Sequence, residues 1–322
     1  MEKTEILDVA ETAEGLAMLF IDYDDSDIAS AIGHVQFTSG RSDETDPPTQ
    51  LLATNDTLRT LWTSPSGALW VASADGNVAT TAPVSWPAAG PGVDYQTLSG
   101  APWAVTSLAP QRSNGLPPNV TGLWGTADDN VFAGTYDGDI YRWDGRAWAQ
   151  DHDGAAAGNR GVSAFGGTGP NDVFALGIAG TLLHFDGRAW TPLRVPGPPN
   201  GHESLTAVHA LPDGTVFIST SGDDGRLLHG THAGLSEFGR YPLPLIGMAA
   251  LDDRLLFATG DGVAELSGYD VDMIRDTFST ASIRAGRGRV FFIEPAQEVP
   301  NFICYDPREG DGEDDAWWGM DY

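Results

Sequence analysis

Apolar residues in this chain fall in short runs separated by tight polar turns. In 121–150, TGLWGTADDNVFAGTYDGDIYRWDGRAWAQ, Leu123 and Trp124 sit in one β-type run, and Ala127, Asp128, Asp129 and Asn130 form a polar turn. Val131, Phe132 and Ala133 begin a second run; Ile140, Tyr141 and Trp143 make a third, and Ala147 and Trp148 start a fourth. Asp137-Gly138 and Asp144-Gly145 lie between runs, and Asp-Gly is a hairpin signal because glycine takes positive φ without steric cost. Four short antiparallel strands within about 40 residues predict one propeller blade.

The pattern repeats. Residues 162–192, VSAFGGTGPNDVFALGIAGTLLHFDGRAWTP, carry the same Val-Phe-Ala after an Asn-Asp turn, then a Gly near a turn, and the same closing D-G-R-A-W. More divergent copies lie at 59–80, 206–229, 247–266 and 282–305. At the amino terminus, 5–10, 16–22 and 28–37 supply one more unit. An aromatic marks the second strand of each unit: Phe20, Trp70, Phe132, Phe174, Phe217, Phe257 and Phe291, separated by 50, 62, 42, 43, 40 and 34 positions by residue number. The prediction is an all-β chain forming a single β-propeller over 1–322, with seven blades of four antiparallel strands. Six blades is the alternative, if the first unit is only a closing strand or cap. A closed ring whose blades need their neighbours overrides the two-domain prior that 322 residues would otherwise set.

Three stretches depart from the repeat. Residues 81–118 contain Pro83, Pro87, Pro91, Pro102, Pro110, Pro117 and Pro118 and are expected to be an insertion outside the blades. Residues 271–278 are the one segment with a helical-turn pattern. The tail, 306–322, joins an acidic run to Trp317, Trp318 and Tyr322. Its expected role is closure of the last blade, which shows only three evident strands; docking onto a partner is the alternative.

The two clear copies resemble the bacterial β-propeller repeats of the form W-G-[ST]-x-x-[DN]-[DN]-V-[FY]-A, followed by D-G-x-x-W. Trp124, Gly125, Thr126, Asn130, Val131, Phe132, Gly138, Ile140, Arg142, Trp143, Asp144, Gly145 and Trp148 carry the resemblance in the first. Gly166, Thr168, Asp172, Val173, Phe174, Gly180, Leu182, His184, Phe185, Asp186, Gly187 and Trp190 carry it in the second. The likeness is close over 121–192 and loose elsewhere. It implies the propeller fold and a scaffold or binding surface, and it implies no reaction.

Charge narrows the partner. Forty-five acidic residues stand against 17 basic ones, of which only Lys3 is lysine, for a net charge of -28. Codon usage, solubility and salt adaptation compete with a basic partner as explanations of this balance. With no basic stripe to neutralise phosphates, nucleic acid is excluded as a partner. No apolar run approaches the roughly 20 residues of a membrane span. The amino terminus is acidic where a signal peptide is basic, so a cytoplasmic monomer is expected unless a leader has been trimmed. The single Cys304 agrees with a reducing compartment.

Catalytic chemistry is thin. His184 and His229 occupy the same third-strand position in neighbouring repeats and are assigned to blade structure. His209 falls in a first strand near the channel. His152-Asp153 and His202-Glu203 lie in interblade loops. The acid runs at 22–27 and 311–315 lack the spacing of a twelve-residue calcium loop. No nucleophile elbow, paired cysteine, His-x-x-x-His or phosphate loop is present. No catalytic residue, metal ligand or cofactor is therefore assigned.

Acids do cluster in the turns between second and third strands: Asp24 and Asp25, Asp75, Asp137 and Asp139, Asp223 and Asp224, Asp261, and Glu294 and Glu298. Six of the seven units carry at least one, and the unit around Ile178 is the exception. These ten residues form the expected partner-binding set, although turn chemistry alone explains about half of them. The expected function is non-catalytic binding of a basic protein, as by an inhibitor or immunity protein that covers a toxin or nuclease. The alternative is an enzyme or carbohydrate-binding protein that uses the central channel.

Overall fold

A computed structural model describes every residue except 1, 25–26, 39–47, 88–91, 109–115, 198–202, 223, 296–298, 310–314 and 322. Seven antiparallel sheets follow one another around a ring. Blade 1 comprises Glu2–Glu11, Leu16–Asp24, Asp27–Thr38 and Thr49–Thr54. Blade 2 comprises Leu58–Thr63, Leu69–Ser73, Asn77–Thr80 and Ala104–Ser107. Blade 3 is Val120–Ala127, Asn130–Thr135, Ile140–Trp143 and Trp148–His152. Blade 4 is Ala164–Gly169, Asp172–Leu176, Leu182–Phe185 and Trp190–Pro192. Blade 5 runs Ser204–Ala210, Val216–Ser221, Gly225–Thr231 and Gly234–Tyr241. Blade 6 runs Gly247–Leu251, Arg254–Ala258, Val263–Ser267 and Asp270–Arg275. Blade 7 runs Ser282–Ala285, Val290–Ile293, Asn301–Tyr305 and Trp317–Asp321. The chain is a seven-bladed β-propeller, and the six-blade alternative falls because the first four strands form a full sheet.

The core is a set of seams between blades. Each of seven buried apolar clusters joins two adjacent blades, and together they go round the ring. All seven second-strand aromatics lie in second strands as predicted, and six of them are buried, Phe217 being half-buried. The D-G-x-x-W tryptophans are equivalent. Trp148 packs on Trp143 beside it and reaches back to Trp70 of blade 2. Trp190 packs on Phe185 and reaches back to Phe132 of blade 3. Each ring thus fills a seam, where burial of a large aromatic surface contributes most.

The glycine of the W-G-T motif has a steric cause. The first two strands slip register after Gly125 in blade 3 and after Gly167 in blade 4. The resulting bulge brings backbone onto backbone. A Cβ on Gly125 would fall on the Asn130 carbonyl oxygen, and one on Gly167 on the Asp172 carbonyl oxygen.

Two expectations need correction. Residues 81–118 are not wholly outside the blades. Tyr95–Thr97 adds a fifth strand to the outer edge of blade 1, and Ala104–Ser107 is the outer strand of blade 2. Prolines cannot donate to a ladder, but the segments between Pro91, Pro102 and Pro110 retain enough donors to pair. Residues 271–278 hold an outer strand, Asp270–Arg275, and no helical turn. Val271 and Ile274, three positions apart, lie on opposite sides of this strand, Val271 packing in the seam with blade 5 and Ile274 in the seam with blade 7.

Ring closure uses no shared strand, because the first and last strands of the chain sit in different sheets. Ile6, Met18 and Phe20 of blade 1 instead pack against Phe291, Phe302 and Met320 of blade 7. The tail takes its expected closing role: Trp317–Asp321 pairs with Asn301–Tyr305, and the Trp317 ring lies 4.4 Å from that of Tyr305. Among the described residues, no helix is long and apolar enough to cross a membrane.

Candidate functional site

Inner strands all run the same way around a propeller, so turns of one type emerge on one face. The turns between second and third strands define the upper face. Those between first and second, and between third and fourth, define the lower face.

On the upper face Asp75, Asp137, Asp224 and Asp261 are exposed. Asp139 is not part of that surface: it is 7% exposed and accepts the Gly154 backbone N–H at 2.9 Å, tying its turn to the following interblade helix. Glu294 is half-buried and accepts from Asn301 Nδ2 at 2.5 Å. The side chain of Asp24, together with Asp25, Asp223 and Glu298, lies outside the described residues. The interblade histidine-acid pairs on this face do structural work. His152 hydrogen-bonds Asn159, and Asp153 caps the short helix Gly154–Ala157 by accepting from Ala156 N. Glu203 pairs with the buried guanidinium of Arg226, which also holds Glu237. His202 lies outside the described residues.

Much of the positive charge is used internally. Besides Arg226, Arg254 pairs with Glu265, Arg284 with Asp8, Arg289 with Glu11, Arg308 with Asp306 and Arg240 with Glu237. Arg254 and Arg289, at lower-face turns, are thus engaged with carboxylates of their own and neighbouring blades.

The central channel is walled by the inner strands of all seven blades and encloses about 380 Å³. Asp8 is buried in its wall. One carboxylate oxygen accepts Arg284 Nε at 2.6 Å and the Val9 N–H; the other accepts the Leu61 N–H at 3.0 Å. A single side chain therefore links blades 7, 1 and 2. The channel aromatics are used in packing: Trp62 lies against Trp70, Trp124 stacks on Phe132, and Phe165 stacks on Phe132 from the next blade. His209 is half-buried, faces Phe217 across its ladder, and has its pKa lowered by burial.

The third-strand histidines share a structural position, as predicted. His34, Arg142, His184 and His229 each sit opposite the second-strand aromatic of their blade. Phe20, Phe132, Phe174 and Phe217 take those rings or the guanidinium at 4.7 to 5.4 Å. His184 goes further. It hydrogen-bonds Asp172 at 2.7 Å, as Arg142 does Asn130 at 2.9 Å, and its ring stacks at 4.8 Å on His232 from blade 5. The sequence reading did not single out His232, because it stands where other repeats have the Asp-Gly of a hairpin turn. Only packing between blades brings it to His184.

No family model matches the sequence, and none of the curated proteins does. Many solved structures share the fold. The C-terminal WD40 domain of Sif2 superposes with a TM-score of 0.56 at 10% identity, over 96% of this chain and 83% of that one. The RRP9 WD40 repeats give 0.54 at 12% identity, over 80% and 73%. An extracellular domain assigned to a hybrid two-component system of B. thetaiotaomicron gives 0.55 at 12% identity, over 89% of this chain but only 38% of that one. At these identities the likeness defines a class by fold, the β-propellers that include WD40 proteins.

Proposed function

We propose that this propeller is a non-catalytic, monomeric, cytoplasmic binding protein of the bacterial repeat type whose upper face receives a basic protein. An inhibitor or immunity protein that covers a toxin or nuclease fits that description. The observation that carries this reading is the division of charge: six arginines are committed to ion pairs, while Asp75, Asp137, Asp224 and Asp261 stand exposed on one face of a chain with net charge -28. Such a field speeds encounter with a basic surface and repels acidic ones. Use of the channel by an enzyme or lectin is less well supported, since Trp62, Trp124 and Phe165 are taken up in packing.

The test compares the wild-type chain with a variant carrying Asp75→Arg, Asp137→Arg, Asp224→Arg and Asp261→Arg, each immobilised and exposed to a lysate of the source cells. Wild type should retain a basic protein that the variant loses, and its association rate should fall steeply with salt while dissociation changes less. A partner held equally by both forms would refute the reading.

A further inference from the structure

On the lower face, opposite the turns of Asp75, Asp137, Asp224 and Asp261, two blades place imidazoles and a carboxylate together. We propose that Asp172, His184 and His232 form a binding site for a divalent transition-metal ion of the zinc type, bridging blades 4 and 5.

The ligand atoms of the three residues all lie within 4.8 Å of one another. Two imidazoles and one carboxylate are a donor set suited to zinc and its neighbours, and unsuited to calcium or magnesium, which take oxygen ligands. With metal–ligand bonds of about 2.0–2.1 Å, tetrahedral ligands stand roughly 3.4 Å apart. The 2.7 Å separation of His184 Nε2 and Asp172 Oδ1 is that of a hydrogen bond and must open slightly. The widest separation must close by up to about 1.4 Å, and the parallel stack of His184 and His232 must open so that both nitrogens face one ion. His232 supplies that movement, because it is exposed on the hairpin between Gly225–Thr231 and Gly234–Tyr241.

The other two ligands are already held. His184 is buried, fixed by its strand and packed on Phe174 at 4.8 Å. Asp172 accepts from the Thr168 hydroxyl with the oxygen it does not offer to His184, which aims its free carboxylate edge. A carboxylate with a fixing partner is the arrangement that orients ligands in metal sites. His232 also stands in the wall of a cleft of about 470 Å³, with Arg194, Leu193 and Leu235 among its neighbours there. Three protein ligands, one of them in the wall of an open cleft, leave a coordination position for water or an exchangeable ligand.

The repeat itself does not need this arrangement. In blade 3 the same positions hold Asn130 and Arg142, which hydrogen-bond each other and offer no metal ligand. Blade 4 substitutes Asp and His, and blade 5 adds His232 where blades 3 and 4 have Asp-Gly.

The experiment uses the untagged full chain, freed of metal by chelator and dialysed. Zn²⁺ and Ca²⁺ are titrated calorimetrically, and Co²⁺ is followed by its visible absorption. Wild type should bind one equivalent of Zn²⁺ and of Co²⁺ saturably and no Ca²⁺ at this site. H232A should weaken Zn²⁺ binding at least tenfold, as should D172N. His232 is exposed, so H232A keeps its melting temperature without metal, and loss of binding in it cannot be ascribed to unfolding. Absence of saturable Zn²⁺ binding in wild type would overturn the proposal. So would binding that H232A and D172N leave unchanged, which would assign the ion to the general acidic surface.

Discussion

Asp8 lies at the closure of the ring, and replacing it by alanine measures what that closure is worth. The carboxylate is 1% exposed, joins Arg284 of blade 7 and accepts the buried Leu61 N–H of blade 2. In Asp8→Ala the Leu61 amide loses its acceptor, and a buried unsatisfied donor costs about 1–3 kcal/mol. Loss of the ion pair adds less, because the Arg284 side chain is 43% exposed and water takes over the solvation of its guanidinium. The expected total is about 2–4 kcal/mol. With an unfolding entropy near 2.1 cal/mol/K per residue, a chain of 322 residues shifts its Tm by about 1.5 °C per kcal/mol, so the fall is roughly 3–6 °C. Arg284→Ala should cost about as much, because it leaves the buried Asp8 carboxylate without its cation, and Asp8→Asn, which can still accept from Leu61, should cost less than either. Thermal melts of the three variants at neutral pH, followed by circular dichroism, provide the comparison. If Arg284→Ala is harmless while Asp8→Ala is not, the backbone acceptor and not the ion pair holds the seam. If neither variant moves the Tm, the apolar contacts between blades 7 and 1 close the ring alone.

Other outcomes follow from the seams. Trp190→Ala should cost about 3–5 kcal/mol and Trp148→Ala less, because Trp190 is buried and donates to Asp151 at 2.9 Å while Trp148 is half-buried; equilibrium denaturation of both variants checks this order. Gly125→Ala should destabilise by about 1–3 kcal/mol, since its Cβ would overlap the Asn130 carbonyl oxygen, whereas Gly169→Ala, where a Cβ meets open space, should be nearly neutral in the same denaturation assay. Hydrogen bonds from Arg308 first, against an opposing effect of burial, hold Asp306 below the usual carboxylate range. Its folded pKa is depressed, so its stabilisation is present above the unfolded carboxylate value and is lost as pH falls through the lowered one. Asp306→Asn should therefore lower stability at neutral pH and flatten its decline in acid, read from denaturant midpoints against pH.

Sequence alone determined the blade, because its signals are local. Asp-Gly turns, short apolar runs and the second-strand aromatics act over a few residues, and Phe20, Trp70, Phe132 and their equivalents identify seven units without any knowledge of contacts. It also gave the acidic turns and the closing strand of the tail. Tertiary structure decided what depends on neighbours far along the chain. Tyr95–Thr97 finds blade 1 only because the edge of Thr49–Thr54 offers it unpaired donors and acceptors. Asp139 leaves the exposed acidic set because the Gly154 amide turns it inward. Asp8 meets Arg284 from the opposite end of the chain, and His232 meets His184 and Asp172 from another blade. Side-chain period and turn chemistry are written along a strand, whereas the approach of one blade to the next is set by packing the seams, and no local pattern encodes it.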